Sequence, residues 1–167
     1  MTAMSFTTTP FGDVTLKSIT RNIAVLDLDN CISNDGWRQK LIDHTQPFVD
    51  DRYARYHAGC ESDVYENGET VRFLQARYEI IIFTARPELM RAKTARWLNR
   101  WRVPVAEVLM RPQDNRESSP ELKRSMLRSL PFISRISAAY DDRDDVLKMY
   151  QEEQIPLIHK LEVRKEK

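Results

Sequence analysis

The amino-acid sequence predicts an α/β fold in which helices cover both faces of a parallel β-sheet. Short apolar runs rich in β-branched residues, such as 22–28 and 78–83, alternate along the chain with segments of helical periodicity. This alternation is typical of parallel sheets, because the crossover between two parallel strands is usually a helix. The length of 167 residues suits one domain with a modest insertion.

The predicted core elements follow one another as a strand, an insertion, a helix, and then strands and helices in turn. Core strands are expected at 22–28, 78–83, 107–110, 133–140 and 155–161, and core helices at 69–77, 87–100, 120–130 and from 146 onward. Pro87 is expected to open its helix, since proline is favoured at a first helical position. Pro156 suits an edge strand, because it cannot donate a hydrogen bond to a neighbour.

Three segments lie outside this alternation. Near the N-terminus, Val14, Leu16 and Ile19 can form a short edge strand. Residues 32–68 show no sustained strand pattern, so a small helical insertion is expected there, with the core made of 20–31 and 69–162. The tail from Val163 is expected to fray.

Composition narrows the classes of protein. A formal net charge of +1 argues against a grossly basic nucleic-acid binder and against an acidic tail protein. The two cysteines are too few for a disulfide framework, which favours a reducing, cytoplasmic location. No apolar run approaches membrane-spanning length, and residues 1–20 lack the features of a signal peptide.

Polar side chains follow three of the predicted strands, and one more lies in the first turn of a predicted helix. The residues concerned are Asp27 and Asp29, Thr84 and Arg86, Lys123, and Asp141 and Asp142. Because the carboxyl ends of parallel strands share one edge of the sheet, these groups are expected to converge. Side chains two residues apart on a strand point the same way, so the first two aspartates face one site. Buried carboxylates of this kind need a cation or strong hydrogen bonds.

These residues resemble the four motifs of the haloacid dehalogenase (HAD) superfamily of phosphatases. Asp27-Leu28-Asp29-Asn30 matches the Asp-x-Asp motif, Thr84 the second motif, Lys123 the third, and Asp141-Asp142 the fourth. The resemblance implies a Rossmann-like HAD core in which the insertion at about 32–68 forms a small helical cap. The whole of 1–167 is then a single HAD phosphatase domain.

A narrower resemblance links the chain to the phosphatase domain of bacteriophage polynucleotide kinases and to its stand-alone phage relatives. Thr84-Ala85-Arg86 and Asp141-Asp142-Arg143 are part of it, and Arg38 matches an arginine that such domains use near the substrate. The sequence departs from the HAD pattern at Asn30-Cys31, where Gly-Thr is commoner. Cys31 is therefore expected close to the site but is not expected to react.

The resemblance implies a role for each candidate residue. Asp27 would attack phosphorus, Asp29 would move protons, and Thr84 and Lys123 would stabilise the phosphoryl group. Arg38, Arg86 and Asn30 would contact the substrate. The expected cofactor is Mg²⁺, whose preferred oxygen ligands would come from Asp27, Asp29, Asp141 and Asp142. The implied activity is phosphomonoester hydrolysis through a phospho-aspartate.

Several alternatives remain open at the level of the sequence. The substrate can be a nucleic-acid 3′-phosphate end, a nucleoside monophosphate or a small metabolite such as a sugar phosphate, and the chain can also be a catalytically silent HAD-fold binding protein. No membrane partner and no obligate protein partner are expected. Tyr53, Arg55 and Tyr56 can form a stacking surface for a nucleotide or the packed side of a helix. Asp114 and Arg116 can pair with each other in their loop.

Overall fold

A five-stranded parallel sheet forms the centre of the computed structural model, which describes residues 5–9, 12–16 and 21–164. In spatial order its strands are β7 (Glu107–Arg111), β6 (Glu79–Pro87), β3 (Ile23–Leu26), β8 (Ile136–Asp141) and β9 (Leu157–Lys160). Leu26 of β3 lies opposite Ile82 on one side and Tyr140 on the other. The predicted parallel α/β sheet is therefore confirmed.

The strand order reverses its direction of winding at β3. The chain builds outward from β3 through β6 to β7, and then returns to the other side of β3 to form β8 and β9. Where the direction of winding reverses, the connections after β3 and β8 leave in opposite directions, and open α/β sheets bind their ligands at such a point.

Helices cover both faces of the sheet. Helices α4 (Ser119–Ser129) and α5 (Asp144–Glu152) pack against one face, together with the side chains of Ile23 and Val25. Helices α2 (Gly68–Arg77) and α3 (Arg91–Arg100) pack against the other face, with Ala24 and Leu26. The alternation of strand side chains thus supplies both cores, which is why β3 is apolar at every position.

The insertion contains both helical and extended structure. Helix α1 (Val49–Ala58) and two short 3₁₀ helices, Gly36–Leu41 and Cys60–Ser62, lie between strands β4 (Ser33–Asn34) and β5 (Val64–Tyr65). The two strands pair antiparallel and bring the ends of the insertion together. The expected helical character is correct for α1, but the short strands were not predicted because two residues carry no periodicity.

The N-terminal segment forms a separate hairpin. Strand β1 (Ser5–Thr9) pairs antiparallel with β2 (Gly12–Leu16), which contains Val14 and Leu16. Ile19 of the predicted edge strand lies outside the described residues. Within the described part of the chain, no helix combines the length and the hydropathy needed to cross a lipid bilayer.

Three predicted boundaries need correction. Strand β6 continues through Pro87, and α3 begins only at Arg91, after a 3₁₀ turn. The fourth core strand starts at Ile136, because residues 133–135 form a 3₁₀ turn. The tail is also not frayed at its start: Val163 is buried, and its backbone N–H donates to the Asn30 carbonyl oxygen at 2.8 Å.

Candidate active site

A tight turn after β3 presents the first two aspartates at the carboxyl edge of the sheet. The Asp27 N–H still donates to the Tyr140 carbonyl oxygen, at 3.0 Å, so this residue is held by the ladder between β3 and β8. The Leu28 carbonyl oxygen then accepts hydrogen bonds from three successive N–H groups, those of residues 31–33. Asn30 adopts a left-handed conformation, with φ of 60°, in which asparagine is tolerated better than most residues.

Lys123 bridges two of the predicted catalytic aspartates. Its Nζ lies 2.9 Å from Asp27 Oδ1 and 2.5 Å from Asp141 Oδ2, and all three side chains are almost fully buried. Ser118 caps the helix that carries the lysine, one residue before the Ser119 that the pattern Ser119-Pro120 indicates, and Pro120 lies in the first turn. The third and fourth motif residues are therefore brought to the same point as the first.

Burial and neighbouring charges shift the protonation of this cluster. Burial raises the pKa of Asp27 well above its ordinary value; Lys123 opposes this shift, while Asp141 and Asp142 add to it. Burial disfavours the charged form of Lys123, yet the Asp141 and Asp27 carboxylates raise its pKa well above the ordinary value. A buried site with more carboxylates than cations favours the binding of an additional positive charge.

Three side chains at the edge have the spacing of a metal site. One ligand atom from each of Asp27, Cys31 and Asp142 lies within 4.8 Å of the other two. Asn30 Nδ2 donates to Asp142 Oδ2 at 2.8 Å and fixes that carboxylate. Asp141 accepts from Lys123 and, at 3.1 Å, from the Arg143 N–H, and its role as a metal ligand stays a prediction. Two carboxylates with raised pKa values fit a hard divalent cation.

The Asp29 carboxylate is held by two buried arginines. Its Oδ1 accepts from Arg38 Nη2 at 2.6 Å and from Arg86 Nη2, also at 2.6 Å, while both guanidinium groups are shielded from solvent. Burial raises the pKa of Asp29, but the charges of Arg86 and Arg38 outweigh this effect and lower it to about 2. Asp29 is therefore an ionised carboxylate at neutral pH.

The same two arginines contact a residue that the sequence analysis did not single out. Asp63, at the end of the insertion, accepts from Arg38 Nη2 at 2.7 Å and from Arg86 Nη2 at 3.3 Å, and its side chain is fully buried. A lone aspartate in a polar loop carries no sequence signal of such a role. Arg38 and Arg86 thus lie side by side, and their predicted contact with substrate stays a prediction, since carboxylates occupy both.

The remaining predicted residues lie around this cluster. Thr84 is buried at the point where β6 passes the site, and its Oγ1 accepts from the Arg86 N–H at 3.2 Å. The Cys31 thiol is fully buried and donates to the Leu161 carbonyl oxygen at 3.1 Å. Burial and the neighbouring Asp27 carboxylate raise the pKa of this thiol well above its ordinary value, which agrees with the expectation that Cys31 does not react.

Two of the open alternatives are decided by the structure. Tyr56 packs beneath the Arg38 guanidinium and donates to Asp35 Oδ2 at 2.5 Å, so its ring belongs to the packed side of α1 rather than to an open stacking surface. Asp114 and Arg116 do not pair with each other. Arg116 Nη2 donates instead to Asp50 Oδ2 at 2.6 Å and joins the loop after β7 to helix α1.

The fold and the site can be compared with known proteins. The family model described as PITM 1-3, LNS2 domain, matches residues 54–159 of the chain. This range includes Thr84, Lys123 and Asp141, and it begins after Asp27 and Asp29. Among curated proteins, none matches the chain.

Solved structures show the same architecture at low sequence identity. A chain of the Pnkp1/Rnl/Hen1 RNA repair complex is 15% identical with a TM-score of 0.65, over 90% of this chain and 49% of that one. The class C acid phosphatase of Bacillus anthracis with tungstate bound is 19% identical with a TM-score of 0.52, over 77% and 55%. The HAD-hydrolase YfnB of Bacillus subtilis bound to magnesium is 11% identical with a TM-score of 0.51, over 82% and 84%.

These comparisons concern the fold. The chain spans about half the length of the matched chain in the RNA repair complex. The predicted resemblance to HAD-fold phosphatases, including a protein of nucleic-acid repair, is confirmed at the level of the architecture.

Proposed function

This chain belongs to the family of the PITM 1-3 LNS2 domain and has the HAD fold, and we propose that it is a phosphomonoesterase that requires a divalent cation. The proposal is carried by the buried triad in which Lys123 Nζ contacts both Asp27 and Asp141, at 2.9 and 2.5 Å. A lysine held in this way can neutralise a phosphoryl group next to a nucleophilic carboxylate.

The residues at the carboxyl edge fit Mg²⁺. Asp27 and Asp142 would hold the cation, with the Asp29 backbone carbonyl as the ligand implied by the resemblance and Asp141 behind them. Oxygen donors and a local excess of carboxylates are the environment that this ion prefers. When bound, the cation would reduce the repulsion between the Asp27 carboxylate and a phosphate dianion.

The reaction would proceed in two steps on the residues of this chain. An Asp27 oxygen attacks phosphorus, the bond from phosphorus to the leaving oxygen breaks, and a phospho-aspartate remains. Water then attacks that phosphorus and loses a proton, and Asp27 is released with inorganic phosphate. Because Asp29 is ionised at neutral pH, it is suited to accept the proton of this water. Asp29 would give the leaving oxygen one proton that it has received from solvent, and it would return to solvent the proton that it accepts from the attacking water, so the protons balance over the cycle.

Thr84 and Lys123 would stabilise the phosphoryl group during both steps. Lys123 supplies a permanent positive charge, since its two carboxylate neighbours keep it protonated. Asn30 donates a hydrogen bond to Asp142, so it would orient that carboxylate rather than contact the substrate.

The proposed substrate is a phosphate on a nucleotide, either a nucleic-acid 3′-phosphate end or a nucleoside monophosphate. This choice is supported by the motif resemblance to polynucleotide kinase phosphatase domains and by the architectural likeness to a protein of an RNA repair complex. From Arg86 to Arg128 basic residues also outnumber acidic ones, as suits an anionic substrate.

A substrate panel tests the proposal. Phosphate release is measured with Mg²⁺ and with EDTA on 3′- and 5′-phosphorylated oligonucleotides, nucleoside monophosphates and sugar phosphates. Asp27→Asn is expected to abolish release, whereas Asp51→Asn, at an exposed position on helix α1, leaves it unchanged.

Each outcome of the substrate panel tests a different part of the proposed function. Turnover of sugar phosphates alone would refute the nucleotide assignment but not the phosphatase. Retained activity in Asp27→Asn would refute the nucleophile. Absence of turnover on every substrate, with nucleotides bound but intact, would indicate a silent binding protein instead.

A further inference from the structure

Asp63 is the centre of a buried polar network that joins the insertion to the core. Its carboxylate accepts from Ser33 Oγ at 2.6 Å, from Trp37 Nε1 at 3.0 Å and from Arg38 Nε at 2.8 Å. Its backbone carbonyl oxygen accepts from Trp97 Nε1, on core helix α3, at 2.8 Å. A carboxylate with no solvent contact is retained only where its hydrogen bonds and charge are satisfied, and here they are.

The two arginines lie between two carboxylates. Arg38 comes from the insertion and Arg86 from core strand β6, and each contacts Asp63 on one side and Asp29 on the other. The two positive charges are thus matched by two negative charges within one buried group. If Asp63 were absent, two adjacent guanidiniums would share the single carboxylate of Asp29, at a high cost in desolvation and repulsion.

The hydrogen bonds that described residues donate to the Asp29 side chain all reach one of its two oxygens. Arg38 and Arg86 donate to Oδ1, whereas among the described residues Oδ2 receives no hydrogen bond. The side chain of Asp29 is 19% exposed, while both guanidiniums are fully buried. The arrangement holds the carboxylate by one oxygen and leaves the other for the site.

We propose that Asp63 is a positioning residue, which holds Arg38 and Arg86 against Asp29 Oδ1 and thereby fixes the orientation of the Asp29 carboxylate toward the substrate. The inference rests on the proposed function for its catalytic consequence. It also ties the docking of the insertion to the assembly of the site, because Asp63 and Arg38 belong to the insertion while Arg86 and Asp29 belong to the core.

The inference predicts a specific kinetic signature. Loss of the Asp63 charge disturbs a proton-moving group but no group that contacts phosphate, so kcat falls while KM changes little. If the arginines bound substrate phosphate directly, the same loss would mainly change KM. If Asp63 had only a structural role, its loss would reduce the fraction of active enzyme and leave the KM of the folded fraction unchanged. Its effect on stability would then be independent of Asp29.

Asp63→Asn tests this signature, because the amide has nearly the same size as the carboxylate. We expect kcat to fall by about tenfold or more, with KM within about threefold of the unsubstituted enzyme. Trp37→Phe is the milder variant. Trp37 is 43% exposed and its uncharged indole donates one hydrogen bond to Asp63, so we expect the fold to tolerate the loss of this bond. It should lower kcat in the same direction by a smaller factor. Asp51→Asn is the matched control.

A double-mutant cycle supplies a readout that needs no turnover. Asp29 and Asp63 share the Nη2 atoms of both arginines, so their substitutions are coupled through these arginines and through the repulsion between the two carboxylates. If Asp63 holds the arginines against Asp29, Asp63→Asn already weakens the contacts of Asp29, so the double variant with Asp29→Asn loses less stability to urea than the sum of the single losses. Repulsion between the two carboxylates alone would instead make the double loss larger than the sum. If Asp63→Asn does not fold, Trp37→Phe takes its place in the cycle.

Different results would refute the positioning role of Asp63 and the proposed function. Stability losses that are additive or larger than additive, or a KM that rises while kcat stays constant, would overturn the positioning role. A chain that hydrolyses no phosphomonoester would overturn the proposed function, and the cycle would still decide whether Asp63 holds Asp29 through the arginines.

Discussion

Replacement of Lys123 by methionine is the sharpest test of the electrostatics of the site. The substitution keeps the length and the apolar stem of the side chain but removes the charge that lies 2.9 Å from Asp27 and 2.5 Å from Asp141. The lysine is 2% exposed and Asp141 is fully buried, so solvent cannot replace the lost partner. Loss of one partner of a buried ion pair costs about 3–5 kcal/mol.

The cost is expected to depend on pH, because the variant can relieve it by protonating a carboxylate. With a reference pKa of about 3.9, protonation costs about 4 kcal/mol at pH 7 but only about 1.5 kcal/mol at pH 5. The pKa of folded Asp27 already lies above its ordinary value, and without Lys123 it rises further. A carboxyl whose pKa is raised by folding destabilises the protein increasingly as pH rises above the unfolded value. The loss in Lys123→Met is therefore largest at neutral pH.

Urea unfolding of the variant and of the unsubstituted chain, each at pH 7 and pH 5, measures this difference. At pH 7 the loss corresponds to a Tm lowered by about 6–20 °C for a chain of this size. Added Mg²⁺ should restore part of it, since a cation between Asp27 and Asp142 offsets the same carboxylates. A loss below about 1 kcal/mol at pH 7, or one that does not shrink at pH 5, would refute the reasoning.

Three further predictions follow from other parts of the fold. Leu74→Ala removes a fully buried side chain from helix α2 and should cost about 2–5 kcal/mol in urea unfolding; a loss below about 1 kcal/mol would mean that the site collapses without a cavity. Arg116→Ala breaks an exposed bridge to Asp50, with side chains 49% and 65% exposed, and should change stability by about 0–1 kcal/mol, with less effect at high salt. Because folding lowers the pKa of Asp29 to about 2, its contribution to stability is complete above about pH 4 and is lost as pH falls toward 2. Asp29→Asn should therefore flatten the acid limb of a stability profile, and an unchanged limb would contradict the lowered pKa.

Much of the core could be predicted from local pattern. Residues 23–26 and 80–83 are apolar at successive positions, as is typical of a strand covered on both faces, and the helix faces repeat at helical spacing. Boundaries were harder: β6 runs on through Thr84 and Pro87 because the chain still lies beside β7, where Pro87 pairs with Arg111. Pro87 therefore does not end β6, because the strand next to it still offers a pairing partner.

The partners of the charged side chains could not be predicted. Arg38 and Arg86 were expected at the substrate, yet both contact Asp29 and Asp63 in a buried group. Pairing of Arg116 with Asp114 in their loop was one open alternative, but Arg116 donates instead to helix α1, which lies far away in sequence. An arginine on its own gives no indication of which carboxylate the folded chain will bring to it.

The sequence by itself determined the order of strands and helices and the convergence of Asp27, Thr84, Lys123 and Asp141 at one edge. Periodicity is local, and parallel strands must share their carboxyl ends, so both follow from reading along the chain. Only the tertiary structure decided that Lys123 links two carboxylates and that Asp63 stands behind Asp29. Ion pairing in a buried site depends on distances between elements remote in sequence, and burial then amplifies each pair far beyond its strength in water.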